Sequence, residues 1–140
     1  MSELLQKQFL FTEHLALLIQ HAHLLGYKIK LGEVLRSNEQ AEINAMGFDG
    51  RKALVSLIRN SFPLLASKIE DNRGNGIRNS VHMFALAADV QLFDQAGKWL
   101  QEKYPYELLA DFWENFGPEH KAGVRFGDTP HYSIMWNGAK

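Results

Sequence analysis

Four side chains in the second half of the sequence have the types and spacing of a catalytic metal site. His82 and Asp89 form an H-x6-D pair, and Asp128 and His131 a D-x-x-H pair. Zinc in a hydrolase takes three protein ligands of the His and Asp/Glu type. It leaves the fourth tetrahedral position to water, whose pKa then falls towards neutrality. His82, Asp89 and His131 fill three such positions. A further group must hold that water and shuttle its proton, and Asp128 is the candidate general base. Each pair alone is a weak signal, because His and Asp are common; their order along one chain carries the weight. The competing reading makes His82 and His131 hydrogen-bonded core residues and Asp89 a strand-end carboxylate.

Composition narrows what such a site can serve. With 140 residues, 46% of them hydrophobic and 4 prolines, residues 1–140 are expected to form one domain that buries about 68% of its unfolded surface. A net charge of −1 and a pI near 6.6 leave no basic stripe for nucleic acid, so an anionic substrate must be held by a few local cations. The chain has no cysteine, which excludes disulfides and thiolate ligands and leaves N and O donors, a set that leans to zinc. The N-terminus mixes charges of both signs where a signal peptide would be basic and then apolar. The apolar run Leu15 to Ile19 is too short to span a bilayer. These features predict a chain made in the cytoplasm, without stable membrane association; a monomer is expected, independently of these features.

The elements that must position the four residues follow from periodicity. Leu4, Phe11, Leu15, Leu18, Ala22 and Leu25 recur at helical spacing, so residues 3–25 are expected to form a helix capped by Ser2 and stopped by Gly26. His14, His21 and His23 lie on it, no two of them three or four apart, and form no helical ligand pair. Tyr27 to Gly32 alternates as a strand does, ending near Glu33 to Arg36. Ser37-Asn-Glu-Gln40 matches a capping box for a short helix to about Met46, closed by Gly47. Arg36 therefore stands at a strand-to-helix junction, where side chains often face a cleft. Residues 51–70 read as two helices divided at Ser61-Phe62-Pro63, with Leu54, Ile58, Leu65 and Ile69 inward. Asp71 to Gly76 reads as a loop.

Ala85 to Phe93 reads as a strand with Leu86, Ala88, Val90 and Leu92 on one face and Asp89 on the other. His82 and Asp89 are an odd number of residues apart, so an unbroken strand would point them to opposite faces, and the chain must bend or bulge between them. Asp94 to Gly97 reads as a turn. Tyr106 to Phe116 reads as a helix with Leu108, Leu109, Phe112, Trp113 and Phe116 as its apolar face. A loop through Gly123, Phe126 and Gly127 leads to Asp128, and His131 to Trp136 reads as a last strand. Pro130 keeps Thr129 out of the helical region, so the ends of Asp128 to His131 can converge on one ion.

Ser80-x-His82 with Ala87-x-Asp89, followed by Asp128-x-x-His131-Tyr132, resembles the zinc peptidases of the D-Ala-D-Ala carboxypeptidase group, whose fold is shared with the hedgehog amino-terminal domain. Gly76-Ile-Arg-Asn-Ser80, Phe126-Gly-Asp-Thr-Pro-His-Tyr-Ser133 and Leu31-Gly-Glu-Val-Leu-Arg36 look like the single-domain phage endolysins of that group, the L-alanyl-D-glutamate endopeptidases. The likeness covers most of the chain and is weakest over residues 48–71, which read as an insertion. It implies an α+β fold with a small antiparallel sheet flanked by helices, zinc held by His82, Asp89 and His131, and Asp128 as general base. It also implies an arginine near the substrate carbonyl or an anionic substrate group at Arg36, and a site-lining serine at Ser80. The sequence departs from the family at Ala85, often glycine there, so a different local path is expected. A second departure is Ala122-Gly123, which replaces the usual tryptophan-glycine-glycine.

The function implied is cleavage of the L-Ala-D-Glu bond of the peptidoglycan stem peptide during host lysis, in the periplasm after a separate protein permeabilises the membrane. Two alternatives stand beside it. One is a D,D-carboxypeptidase or dipeptidase that removes terminal D-Ala. The other is a wall-binding module that keeps the zinc without catalysis, against which the retained Asp128 counts, since binding needs no base.

Overall fold

The computed structural model describes residues 1–37, 48–71 and 80–140. The helix expected over residues 37–46 and the loop expected over 71–76 fall, but for their first residues, outside that range, as do residues 76–79 of the resemblance. Helix α1 (Glu3–Leu24) begins where Ser2 Oγ accepts a hydrogen bond from the Leu5 amide at 3.2 Å, which satisfies one of the free amides of the first turn. Phe11, Leu15, Leu18 and Ala22 are buried. Gly26 follows with φ +86°, the left-handed conformation that ends helices. Leu25, expected inward, is largely exposed, because it caps the helix and has left the buried stripe.

Four antiparallel strands form one sheet in the order β1-β2-β4-β3, with β1 Lys28–Leu31, β2 Ala87–Phe93, β3 His120–Ala122 and β4 His131–Ile134. In β2 the alternation holds from Ala88 on: Ala88, Val90 and Leu92 are fully buried, while Asp89, Gln91 and Phe93 are half-buried on the opposite face, where Ala87 at the strand's start is buried too. The buried set joins Tyr132 and Ile134 of β4 and the inward residues of α1 in the main apolar core.

Helix α4 (Lys103–Glu114) closes that core, with Tyr106, Leu109, Ala110 and Trp113 buried. It begins three residues before the expected Tyr106, because Pro105 lies in the first turn, where a missing N–H leaves no bond unmade. It stops at Glu114, short of Phe116. Trp113 meets Phe11 edge to face at 5.9 Å and donates its indole N–H to the Ser133 carbonyl at 3.1 Å. Strand β3 stands where only a loop was expected, since three residues are too few to show a period.

Helices α2 (Phe48–Ile58) and α3 (Pro63–Asp71) are the two pieces expected around Pro63. Val55, Ala66 and Ile69 form a second, smaller apolar cluster with Leu54 and Ile58 at its edge. Leu65, expected inward, is exposed, and Ala66 takes the inward place. Among the described residues no helix is long and apolar enough to cross a membrane.

The polar edge of α1 faces β3. His14 Nδ1 lies 2.9 Å from His120 Nε2, and His14 stacks on Phe116 at 4.0 Å. This pair was not legible in the sequence, since its members are 106 residues apart. Burial, and then the neighbouring His14, lower the His120 pKa to about 4. The unfolded chain therefore binds the extra proton between roughly pH 6.5 and 4, and stability falls as pH drops through that window. Chemical denaturation at pH 7.5 and pH 5 should show wild type losing on the order of 2 kcal/mol more than a His120→Asn variant.

Candidate metal centre

His82 is brought to the site by a sharp local turn. Residues Val81–Phe84 form a single 3-10 turn, which Ser80 caps by accepting the His82 amide on its Oγ at 3.3 Å. The Leu86 amide closes the turn on the Val81 carbonyl at 3.1 Å. Ala85 has φ +53°, a left-handed conformation that strains any residue with a Cβ. This is the bend that the odd spacing of His82 and Asp89 requires. Ala85 thus takes up the conformation that glycine adopts most readily.

Asp89 and His131 meet by strand register. They are directly paired residues of β2 and β4, and paired residues share a face with Cβ atoms about 4.5–5.5 Å apart. The stretch after β1 presses on the same point. The Gly32 amide donates to the Asp89 carbonyl at 2.7 Å, and the Asp89 amide donates to the Glu33 carbonyl at 2.9 Å. A Cβ on Gly32 would lie 3.1 Å from the Asp89 Cβ. On the other side, the Asp128 amide donates to the Gly123 carbonyl at 2.9 Å and the His131 amide to the Asp128 carbonyl at 3.0 Å. A Cβ on Gly123 would stand 1.8 Å from the Asp128 carbonyl oxygen and 2.7 Å from the His131 Cβ. No side chain fits there.

The result is a triangle of three candidate ligand atoms. His82 Nε2 lies 3.1 Å from His131 Nδ1, His82 Nε2 lies 3.4 Å from Asp89 Oδ1, and His131 Nδ1 lies 3.7 Å from Asp89 Oδ1. Ligands held about 2.0–2.1 Å from a tetrahedral ion stand about 3.3 Å apart, so the triangle has the size of one face of such a site. Two imidazole nitrogens 3.1 Å apart need a shared proton or a cation between them. Asp89 Oδ1 is buried and accepts no hydrogen bond, an arrangement that a cation would relieve. Among the described residues this is the one group of three His, Asp or Glu side chains placed to hold a metal ion. His82 Nδ1 and His131 Nε2, on the far edges of the rings, are buried without a protein partner.

Asp128 stands beside the triangle, on its exposed side. Its Oδ2 lies 3.9 Å from His131 Nδ1, and its side chain is 58% exposed. Arg36 is mostly buried and pairs side-on with Glu33, through an Nε–Oε1 bond of 2.9 Å and a second bond from Nη2 to Oε2. That hydrogen bonding raises its pKa against the opposing effect of burial, with smaller contributions from the charges of Glu33, Asp89 and Asp128. Burial works against ionisation of Asp89, yet His131 and His82 beside it hold its carboxyl well below the usual carboxylate range. Glu33, Asp89 and Asp128 against Arg36 leave two negative charges, the amount a divalent cation cancels. Ser80 is buried in its capping role.

No protein-family model matches the chain, and no curated protein matches it. Gly32 and Glu33 lie within the Leu31 to Arg36 stretch of the resemblance but carry no role of their own at the site in the sequence reading, and Gly123 enters it only as a loop residue and as part of the Ala122-Gly123 departure. An isolated glycine at the end of a strand pattern signals close backbone approach, and that signal was present at Gly32. Two substitutions test the backbone argument with opposite signs. Gly123→Ala should destabilise the protein by roughly 2–4 kcal/mol and abolish metal uptake, read by denaturation and by zinc stoichiometry. Ala85→Gly should stabilise it by about 0.5–1 kcal/mol, because it relieves the left-handed strain.

Proposed function

We propose that this chain is a zinc peptidase that cleaves the L-Ala-D-Glu bond of the peptidoglycan stem peptide and serves as a phage endolysin. The observation that carries the reading is the His82–Asp89–His131 triangle with the carboxylate of Asp128 at its exposed side. Three candidate ligands with an exposed carboxylate beside them suit hydrolysis better than a closed structural site. The sequence resemblance supplies the substrate class. The antiparallel sheet flanked by helices is compatible with the hedgehog-type peptidase fold proposed here.

A zinc ion bound by the three residues would supply Lewis acidity, polarising the scissile carbonyl and acidifying a water molecule. Asp128 accepts that water's proton and returns it to the departing amine. In this reading the charge of Arg36 favours the negative charge that develops on the substrate. Ser80 holds the turn that aims His82. In this reading the protein acts as a monomer on the wall, in the periplasm, once the membrane has been permeabilised.

Mass spectrometry of Gram-negative muropeptides after incubation with zinc-loaded protein tests the proposal. Free peptide beginning at D-Glu is the expected product. Loss of terminal D-Ala alone would reassign the protein as a carboxypeptidase, and no product would return it to a binding module. Asp128→Ala should keep one zinc per chain while turnover falls about 10²–10⁴-fold. His131→Ala should lose metal and activity together.

A further inference from the structure

We infer that Glu33 is a positioning residue for this site, one that fixes the Arg36 guanidinium beside the metal triangle and keeps it from collapsing onto Asp128 or Asp89; the inference rests on the hydrolytic reading proposed above. Residues 32–36 form a strap across the site. At one end the Gly32 amide and the Glu33 carbonyl bond the backbone of Asp89, at 2.7 and 2.9 Å. At the other end the Arg36 amide donates to the His82 carbonyl at 3.2 Å. The strap thus ties its own conformation to two of the three candidate ligands, and within it the Glu33 carboxylate grips the Arg36 side chain.

The physical need for that grip follows from the neighbours. An arginine set among carboxylates pairs with whichever one it reaches, and planar bidentate pairing is the strongest geometry on offer. Asp89 and Asp128 both act on the Arg36 charge. If Arg36 paired with Asp128, it would occupy the lone pairs that the base needs. If it paired with Asp89, it would compete with the metal. Glu33 is three residues away on the same strap, so pairing with it closes a short loop and needs no rearrangement. It engages two of the five guanidinium donors. The half-buried setting of the pair, with side chains 13% and 28% exposed, weakens competition from water.

A double-mutant cycle separates positioning from mere structure. Purified Gram-negative muropeptides are the substrate, and wild type, Glu33→Gln, Glu33→Asp, Arg36→Ala and the Glu33→Gln/Arg36→Ala double variant are compared at full zinc loading. Glu33→Gln is expected to lower kcat about 10–100-fold with little change in KM and no change in zinc stoichiometry. Glu33→Asp should recover part of that loss. The double variant should be no slower than Arg36→Ala, because Glu33 acts through Arg36. Losses that multiply, or zinc lost from Glu33→Gln, would overturn the inference.

A second readout does not depend on turnover. The Arg36 Nε–H resonance, assigned by its disappearance in Arg36→Lys, should be sharp and slowly exchanging in wild type and broadened in Glu33→Gln. An unchanged resonance in Glu33→Gln would overturn the clamp even if the enzyme is active. If wild type releases no product from muropeptides, the proposed function fails, and the resonance alone decides whether Glu33 holds Arg36.

Discussion

The site depends on one pairing in the sheet, that of Asp89 on β2 with His131 on β4. Two residues 42 positions apart in the chain become neighbours on one face because antiparallel register sets them opposite each other. A slip of one residue in either strand would send Asp89 or His131 through to the helix-packed face. Such a slip is prevented by what lies behind: Ala88, Val90, Leu92, Tyr132 and Ile134 are fully buried against the helices. The apolar core therefore holds the register, and the register makes the ligand pair.

Everything else near the triangle adjusts to that pair. The loop before β4 can deliver the chain to His131 because Gly123, without a side chain, lets the Asp128 carbonyl approach its backbone. Gly32 admits the other flank in the same way, at the end of β1. His82 has to reach across from a segment of the wrong parity. It does so through a 3-10 turn and a strained Ala85, anchored from below by Gln8 Nε2, which donates to the Phe84 carbonyl at 2.8 Å. The long helix α1 thus supports the site without contributing a ligand, by packing under the sheet and holding this turn.

Charge organises the exposed side. Among the described residues, the carboxylates of Glu33, Asp89 and Asp128 all act on the single guanidinium of Arg36, an arrangement that a further cation would relieve. Asp128 is the exposed member of the three.

Much of this was legible in the sequence. The H-x6-D and D-x-x-H spacings picked out the three side chains that the fold brings together and the carboxylate beside them, helical periodicity placed α1 and the α2–α3 division at Pro63, and the parity of His82 and Asp89 required the bend that Ala85 makes. Such features are local, and short-range sterics and side-chain chemistry decide them. The rest is non-local. The register of β2 on β4, the approach of Gly123 to Asp128, the His14–His120 contact and the seating of Arg36 on Glu33 beside the triangle all depend on how separate segments pack. The sequence by itself determined which side chains could bind a metal and on which elements they lie. Only the tertiary structure decided that three of their atoms stand 3.1–3.7 Å apart, because the β2–β4 register held by the buried core pairs Asp89 with His131, and the 3-10 turn before β2 brings His82 to them.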